Sequence, residues 1–357
     1  MKINLNSQDK SRFAEILRVK EHNICAAEIY IEYLNNHYND ITFAKDEKDY
    51  YKRFLSCLEI NEEDKEFKAI NSTTQIDKIT KLDPHVFESD SYYKLIKNLK
   101  GKDGDIQFLT LKYNAFEGFV FDELEINPKN YEEHTPLGYF EKDFVYPAII
   151  KDERIWMSII PHEINTMIEP IKNAQGNVLV LGLGLGYYLF HILEKKDVKS
   201  VDVIEFDRNV ISLFNKHLIN LFPNKEKINI IFDDAIKYLA NNKKKYDYVF
   251  SDIWHNVADG EGLYLKIKAY EDKYPNTKFD YWIETSILSM LRRQTITVIE
   301  EVLNGSTEKD YQKAKNENDK IINKIYFYLK DKQLNCFEDI LKLLSEQSLK
   351  EMAKHLY

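Results

Sequence analysis

The run Asn177-Val-Leu-Val-Leu-Gly-Leu-Gly-Leu-Gly-Tyr-Tyr-Leu-Phe190 leaves this chain few folds to choose from. Four apolar residues, Val178 to Leu181, lead into three alternating glycines and then an apolar, aromatic-rich segment of helical length. That is the pattern of a buried parallel strand turning tightly into a helix. Without a Cβ, Gly182, Gly184 and Gly186 allow backbone angles and a closeness to ligand that other residues forbid. The N-terminus of the following helix adds unpaired N–H groups. The turn therefore reads as a nucleotide cradle, against the alternative of a glycine turn that serves packing alone.

Downstream, strand and helix patterns alternate with short connections, as in a doubly wound parallel sheet. Strands are predicted from Val201 to Phe206, Ile228 to Phe232, Tyr246 to Phe250 and Lys278 to Ile283. Helices are predicted from Arg208 to Leu221, Ala235 to Ala240 and Gly262 to Tyr274. Ligands of such sheets bind beyond the carboxyl ends of the strands, and here three successive strands end at acids. Glu205 closes the second strand, where a carboxylate accepts both hydroxyls of a ribose. Asp233 and Asp234 close the third, placed for the exocyclic amine and ring edge of an adenine, with the Ala235 amide as a further donor. Asp252 closes the fourth and faces the reactive end of such a ligand. Helix capping competes as a role for Asp207 and Asp234, but acids at three strand ends exceed what caps alone require.

This constellation, over roughly Pro161 to Glu284, resembles the class I S-adenosylmethionine-dependent methyltransferase fold and, within it, the spermidine-synthase-like branch. Leu181-Gly-Leu-Gly-Leu-Gly186 matches the family's G-x-G-x-G loop, whereas a dinucleotide dehydrogenase needs its third glycine one position later, at Tyr187. The resemblance implies S-adenosylmethionine as cofactor, bound by Gly182, Gly184, Gly186, Glu205, Asp233, Asp234 and Ala235. It implies Ser251-Asp-Ile-Trp-His255 as the catalytic loop. Val180 stands where many methyltransferases have an acid and where polyamine aminopropyltransferases have valine, in V-L-V-I-G-G-G-D-G-G. Leu185, however, replaces the aspartate of that loop, and the D-S-S-D tetrad appears as Asp252-Ile-Trp-His255. His255 can serve as a base in place of the missing carboxylate, and Trp254 can wall a methyl sulfonium or an amine. A capped turn and a packed indole are their structural alternatives. Pro161-His162-Glu163 lies where the family has a Tyr-His-Glu helix.

The expected activity is methyl transfer to an unidentified acceptor by in-line displacement. Aminopropyl transfer from decarboxylated S-adenosylmethionine to a polyamine is the alternative, and a non-catalytic adenosyl-binding or assembly module a third reading. A sulfonium carbon is already electrophilic, so the protein has only to hold the nucleophile in line and let it shed a proton. Asp252 would orient the acceptor and His255 take the proton, and no metal site is expected.

The flanks differ in texture. Phe13, Ile16, Leu17, Ala26, Ile29, Tyr30, Tyr33 and Leu34, then Tyr50, Tyr51, Phe54, Leu55 and Leu58, recur at helical spacing, with Asp90 or Ser91 as the last cap. Ile106 to Tyr113, Phe116 to Phe121, Tyr139 to Tyr146 and Arg154 to Ser158 predict a small antiparallel sheet. Pro161 to Ile171 predicts a short helix that delivers the chain to the central strand. After Ile283 the pattern is helical, through Leu303, Tyr311 to Leu329 and Phe337 to Leu356. It shows no clear antiparallel strand pair of the kind that closes the family's sheet, so either the sheet stops at about five strands or Ile325 to Tyr328, inside a Lys-rich helical pattern, is a strand. The fold class is thus α/β, a Rossmann-like methyltransferase sheet with helices on both faces. The expected divisions are a helical N-terminal domain (1–100), a small antiparallel β subdomain (101–160), the Rossmann-like domain (161–290) and a C-terminal helical extension (291–357).

Composition narrows the partners. The chain is 44% hydrophobic and 31% charged, its longest apolar run is too short to span a bilayer, and it opens on the polar Met1-Lys-Ile-Asn. A cytoplasmic protein without a membrane segment is expected. A net charge of -9 argues against extensive nucleic-acid binding and suits a small-molecule or polyamine acceptor. Lys243 to Lys245 read as a solvated loop, Cys25, Cys57 and Cys336 as reduced core thiols, and the helical ends as surfaces for a homodimer.

Overall fold

A computed structural model describes residues 1–32, 45–57, 79–151 and 154–357. The chain opens with helices α1 (Ser7–Glu32), α2 (Glu47–Cys57), α3 (Pro84–Glu88) and α4 (Ser91–Ile96). Asp90 caps α4 by accepting from the Tyr93 amide at 2.8 Å. Of the N-terminal spacings, Tyr33, Leu34 and Leu58 lie outside the described residues.

The β region holds β1 (Ile106–Tyr113), β2 (Phe144–Lys151) and β3 (Arg154–Ser158), an antiparallel sheet in spatial order β3-β2-β1 with Lys102–Asp103 at the far edge. The run expected as one strand from Tyr139 to Tyr146 is divided. Leu137–Tyr139 joins Phe119–Val120 and Thr80–Lys81 in a separate three-stranded sheet, and β2 starts only at Phe144. The polar turn Glu141-Lys142-Asp143 makes the break, with Asp143 accepting from Lys112 and the Ala115 amide. Behind it Phe140 and Phe144 stack 4.4 Å apart in the core.

α5 (Pro161–Asn173) then leads to the central sheet of β4 (Gly176–Leu181), β5 (Val198–Glu205), β6 (Ile228–Phe232), β7 (Tyr248–Ser251) and β8 (Lys278–Tyr281). All five strands are parallel, in spatial order β6-β5-β4-β7-β8. Val178 to Leu181, Val201, Val203, Val249 and Phe250 bury its middle, as a sheet covered on both faces requires. The chain adds strands outward from β4 to β6 and then returns to β7 on the other side. The order therefore reverses at β4, and a crevice opens where β4 and β7 end. Connecting helices are α6 (Tyr187–Glu194), α7 (Arg208–Leu213), α8 (Ala235–Asn241) and α9 (Val257–Lys268). After β8 the chain turns through Ile283, which has a left-handed φ of 49°, straight into α10 (Glu284–Leu303). α11 (Glu317–Leu329), α12 (Phe337–Leu344) and α13 (Glu346–Ala353) complete it, and the central sheet stops at five strands among the described residues.

Some expectations shift. The helix expected through Leu221 is regular only to Leu213. It widens into a π turn over Phe214–Leu218, which buries Phe214 and Leu218 while His217 meets Gly101. α9 starts at Val257 rather than Gly262, because Asn256 and Asp259 form a capping box whose first-turn hydrogen bonds outweigh the glycines inside the helix. Cys25 is exposed and Cys336, half-buried, holds the N-cap position of α12, so neither is a core thiol. No helix among the described residues is long and apolar enough to cross a membrane.

Candidate functional site

The glycine loop is shaped by what lies beside it. Gly182, Gly184 and Gly186 all have positive φ (97°, 59° and 81°). At Gly182 a Cβ would fall 2.0 Å from the Asp252 carbonyl oxygen, so only glycine lets the end of β4 lie this close to the end of β7. The loop is also held from behind. The Tyr92 hydroxyl on α4 donates to the Leu185 carbonyl, and Tyr92 packs between the rings of Phe190 (4.9 Å) and Phe222 (5.7 Å).

Beyond the loop, at the carboxyl ends of the strands, lies a cavity of about 490 Å³. Gly182, Gly184, Glu205, Asp233, Asp234 and Ala235 line one part of it, and Asp252, Trp254 and His255 another. Gly186 does not line it; its α-carbon backs onto Phe222 and Phe214, which sets its role as the turn into α6. Tyr187 and Tyr188, which could have blocked the space, are core residues, packed on Tyr92 and Phe250.

Glu205 is 6% exposed, and both its oxygens are engaged, Oε2 by the Leu183 amide at 3.1 Å and Oε1 by the Asp207 amide at 2.8 Å. Burial pushes its carboxyl above the usual range, and those amides pull the other way. The carboxylate thus ties β5 to the glycine loop. Asp234 caps α8 through the Lys237 amide and Asp207 caps α7 through Asn209, so the competing cap roles are in place. Asp233, which accepts from the Asp234 amide at 2.8 Å, starts no helix itself.

The other part of the cavity has a different character. Asp252 follows β7, and burial raises its carboxyl to about 7. Glu163, in the first turn of α5, lines the same space, and burial followed by the nearby Asp252 charge holds it well above the carboxylate range. Neither carboxylate has a hydrogen-bond donor from the described residues. Around them stand all three tryptophans of the chain, Trp156 from β3, Trp254 from the loop after β7 and Trp282 from the loop after β8. Trp254 is also packed, its indole set against Gly260 of α9. His255 is both a turn residue and a rim residue. Its amide and Nδ1 meet the Asp259 carboxylate at 3.1–3.2 Å, and its ring stands edge-on to Trp156 with centroids 4.4 Å apart.

Sequence reasoning named neither Trp156, Trp282 nor Glu163 as a site residue. Only the position of Glu163 beside His162 hinted at it. His162 turns instead toward Trp282, and burial drops its pKa to about 4. Five carboxylates line the cavity (Glu163, Glu205, Asp233, Asp234, Asp252), and no Lys or Arg does among the described residues. A space of that charge favours cationic ligands and rejects phosphates. Among the described residues no group of acids, histidines and cysteines is arranged to hold a metal. A larger open groove of about 1170 Å³ lies away from this site, and its charges pair with one another, Lys268 with Glu271 at 2.6 Å and Lys350 with Glu284 at 2.8 Å.

Comparison with known proteins shows what this part of the chain is similar to. Residues 162–276 match the spermine/spermidine synthase domain. A polyamine aminopropyltransferase of Methanocaldococcus jannaschii is 34% identical over 126 residues, 35% of this chain and 42% of the relative. One from Clostridium botulinum is 29% identical over 130 residues, 36% of this chain and 44% of the relative. The chain thus matches less than half the length of these relatives. Spermidine synthase from Thermotoga maritima superposes with a TM-score of 0.32 at 15% identity, over 55% of this chain and 61% of that one. The family model and the two named aminopropyltransferases fit the aminopropyl alternative better than the methyl transfer expected first.

Proposed function

From a chain that carries a spermine/spermidine synthase domain over residues 162–276, we propose an aminopropyltransferase that uses decarboxylated S-adenosylmethionine as donor and an amine of the polyamine class as acceptor. The observation that carries this reading is a cavity lined by five carboxylates and, among the described residues, by no Lys or Arg. The α-carboxylate of S-adenosylmethionine would have no cationic side chain to meet there. The decarboxylated donor carries a sulfonium and an ammonium and no anion, so it is the better electrostatic match. That argument, with the names of the relatives, puts aminopropyl transfer ahead of methyl transfer.

In this reading the glycine loop and Glu205 hold the ribose, and Asp233, Asp234 and Ala235 the adenine. Asp252 orients the acceptor amine. Its nitrogen forms the new bond to the carbon next to sulfur, the C–S bond breaks with its electron pair going to sulfur, and methylthioadenosine leaves. The proton lost by nitrogen passes to Asp252 or to His255, which Asp259 and Trp156 hold at the rim. Trp254 walls the cationic centre.

The test is incubation of the protein with decarboxylated S-adenosylmethionine and 1,4-diaminobutane. Formation of methylthioadenosine together with the aminopropylated amine supports the proposal. Formation of S-adenosylhomocysteine from S-adenosylmethionine, with the decarboxylated donor inert, replaces it by methyl transfer.

A further inference from the structure

The acceptor end of the cavity has an acid that the catalytic loop does not supply. The D-S-S-D pattern of the resembling family ends in a second aspartate, and this chain has His255 there, with its imidazole drawn onto Asp259 and its side chain 43% exposed. A carboxylate still reaches the same space from another element. Glu163 sits in the first turn of α5, which Thr166 fastens to the cavity wall. The Thr166 hydroxyl accepts from the Trp282 indole at 3.0 Å and donates to the His162 carbonyl at 2.8 Å.

First-turn acids often serve only to complement a helix N-terminus, but such acids are normally solvated. Glu163 and Asp252 face the same cavity, each without a hydrogen-bond donor among the described residues, and their charges repel each other. The walls around the two acids are aromatic: Trp156, Trp254 and Trp282 line the same cavity. Two unpaired acids within tryptophan walls match the chemistry that binds an alkylammonium, where carboxylates neutralise the charge and aromatic faces cover the carbons.

We propose that Glu163 is the second carboxylate of the acceptor site, binding with Asp252 the ammonium end of the incoming amine. This deepens the transfer reading above and rests on it. Before the amine arrives, the pair shares a proton, because two desolvated carboxylates do not both ionise. The ammonium supplies the missing positive charge, the pair ionises fully, and the shared proton leaves to solvent. The titratable groups around the pair are His255 on Asp259 at the rim, Glu205, Asp233 and Asp234 at the nucleotide end, His162 beside Glu163, which burial keeps neutral, and the buried Tyr113 phenol, whose pKa is raised by burial, then Tyr146, Glu117 and Glu163. Phenols stay neutral near pH 7.

The experiment is calorimetric titration at pH 6.5 with 1,4-diaminobutane, with and without saturating methylthioadenosine, in two buffers of different ionisation enthalpy. Methylthioadenosine is titrated separately, and 1-butanol serves as the neutral control. The expected result is amine binding with release of about one proton, and no binding of the alcohol. Glu163→Gln should weaken the amine at least about tenfold, abolish the proton release and leave methylthioadenosine affinity unchanged. Equal amine affinity in the variant, or amine binding to the native protein without proton release, overturns the proposal. The native protein's proton count decides by itself if the variant does not fold. Methylthioadenosine that fails to bind the native protein overturns the transfer reading instead, and the amine titration without nucleoside still decides the role of the pair.

Discussion

The two ends of the cavity are built on opposite principles. At the nucleotide end every feature is already satisfied by the protein: Glu205 accepts from two backbone amides, Asp234 caps a helix, and glycine lets β4 and β7 close on each other. At the proposed acceptor end Glu163 and Asp252 line the same space without a hydrogen-bond donor among the described residues, inside walls of tryptophan. One end is tied into the scaffold; the other holds two acids that we propose an ammonium neutralises. The difference teaches where stability and activity part company. Removing a carboxylate from the first should cost both, and removing one from the second should cost activity alone.

The largest effect is expected from Asp252→Asn, which takes away the acid proposed to orient the acceptor amine. Turnover should fall about 10²–10⁴-fold, the range of a positioned acid–base group. At pH 8 the same variant should melt slightly higher than the native protein, by about 2 °C, since it removes a buried charge. The sign follows from the raised carboxyl. With a folded-state pKa of about 7 against an ordinary 3.8, the folded protein binds more protons than the unfolded chain between those values. Asp252 therefore lowers stability as pH rises from about 4 to about 7. The gain in Asp252→Asn should vanish at pH 4, as melting curves at the two pH values would show. A variant that melts lower at pH 8 breaks the contrast.

Glu205→Gln tests the other side. It keeps the shape but weakens the accepting carboxylate that joins β5 to the glycine loop, and methylthioadenosine affinity should drop about 10- to 100-fold, with a lower melting temperature. Unchanged affinity would remove Glu205 from the nucleotide end. Gly182→Ala should cost about 2–4 kcal/mol of stability, because its Cβ would fall within 2.0 Å of the Asp252 carbonyl at a φ of 97°. Chemical denaturation measures it, and a change below 1 kcal/mol would mean that the two strand ends are free to part.

Smaller effects sharpen the acceptor end. The rate at low amine concentration should rise with pH through about 7, as Asp252 loses its proton. A profile flat from pH 6 to 8 would contradict Asp252 as an ionising group. His255→Ala should lower turnover by only about 3- to 10-fold, given a half-exposed ring with solvent as a competing proton acceptor. A loss as large as that of Asp252→Asn would make His255 the base.

The same contrast explains what the sequence disclosed. The nucleotide end is local: glycine spacing and strand-end acids are adjacent in the chain, and the five-strand sheet follows from the alternation of strand and helix patterns. The acceptor end is assembled across the fold. Glu163, Trp156 and Trp282 come from α5, β3 and the loop after β8, more than 100 residues apart at the extremes, and no periodicity links them. The early start of α9 was legible in Asn256-x-x-Asp259, but Gly260 and Gly262 masked it, since glycine argues against helix. The break between Leu137–Tyr139 and β2 was not, because strand patterns on both sides of Glu141-Lys142-Asp143 run on in sequence and part only in space.

The most direct measurement is calorimetric titration with S-adenosylmethionine and decarboxylated S-adenosylmethionine side by side. A cavity with five carboxylates lining it and no basic side chain among the described residues should favour the decarboxylated form by at least about tenfold. Equal affinity, or preference for the carboxylated form, would contradict the account and return the site to methyl transfer.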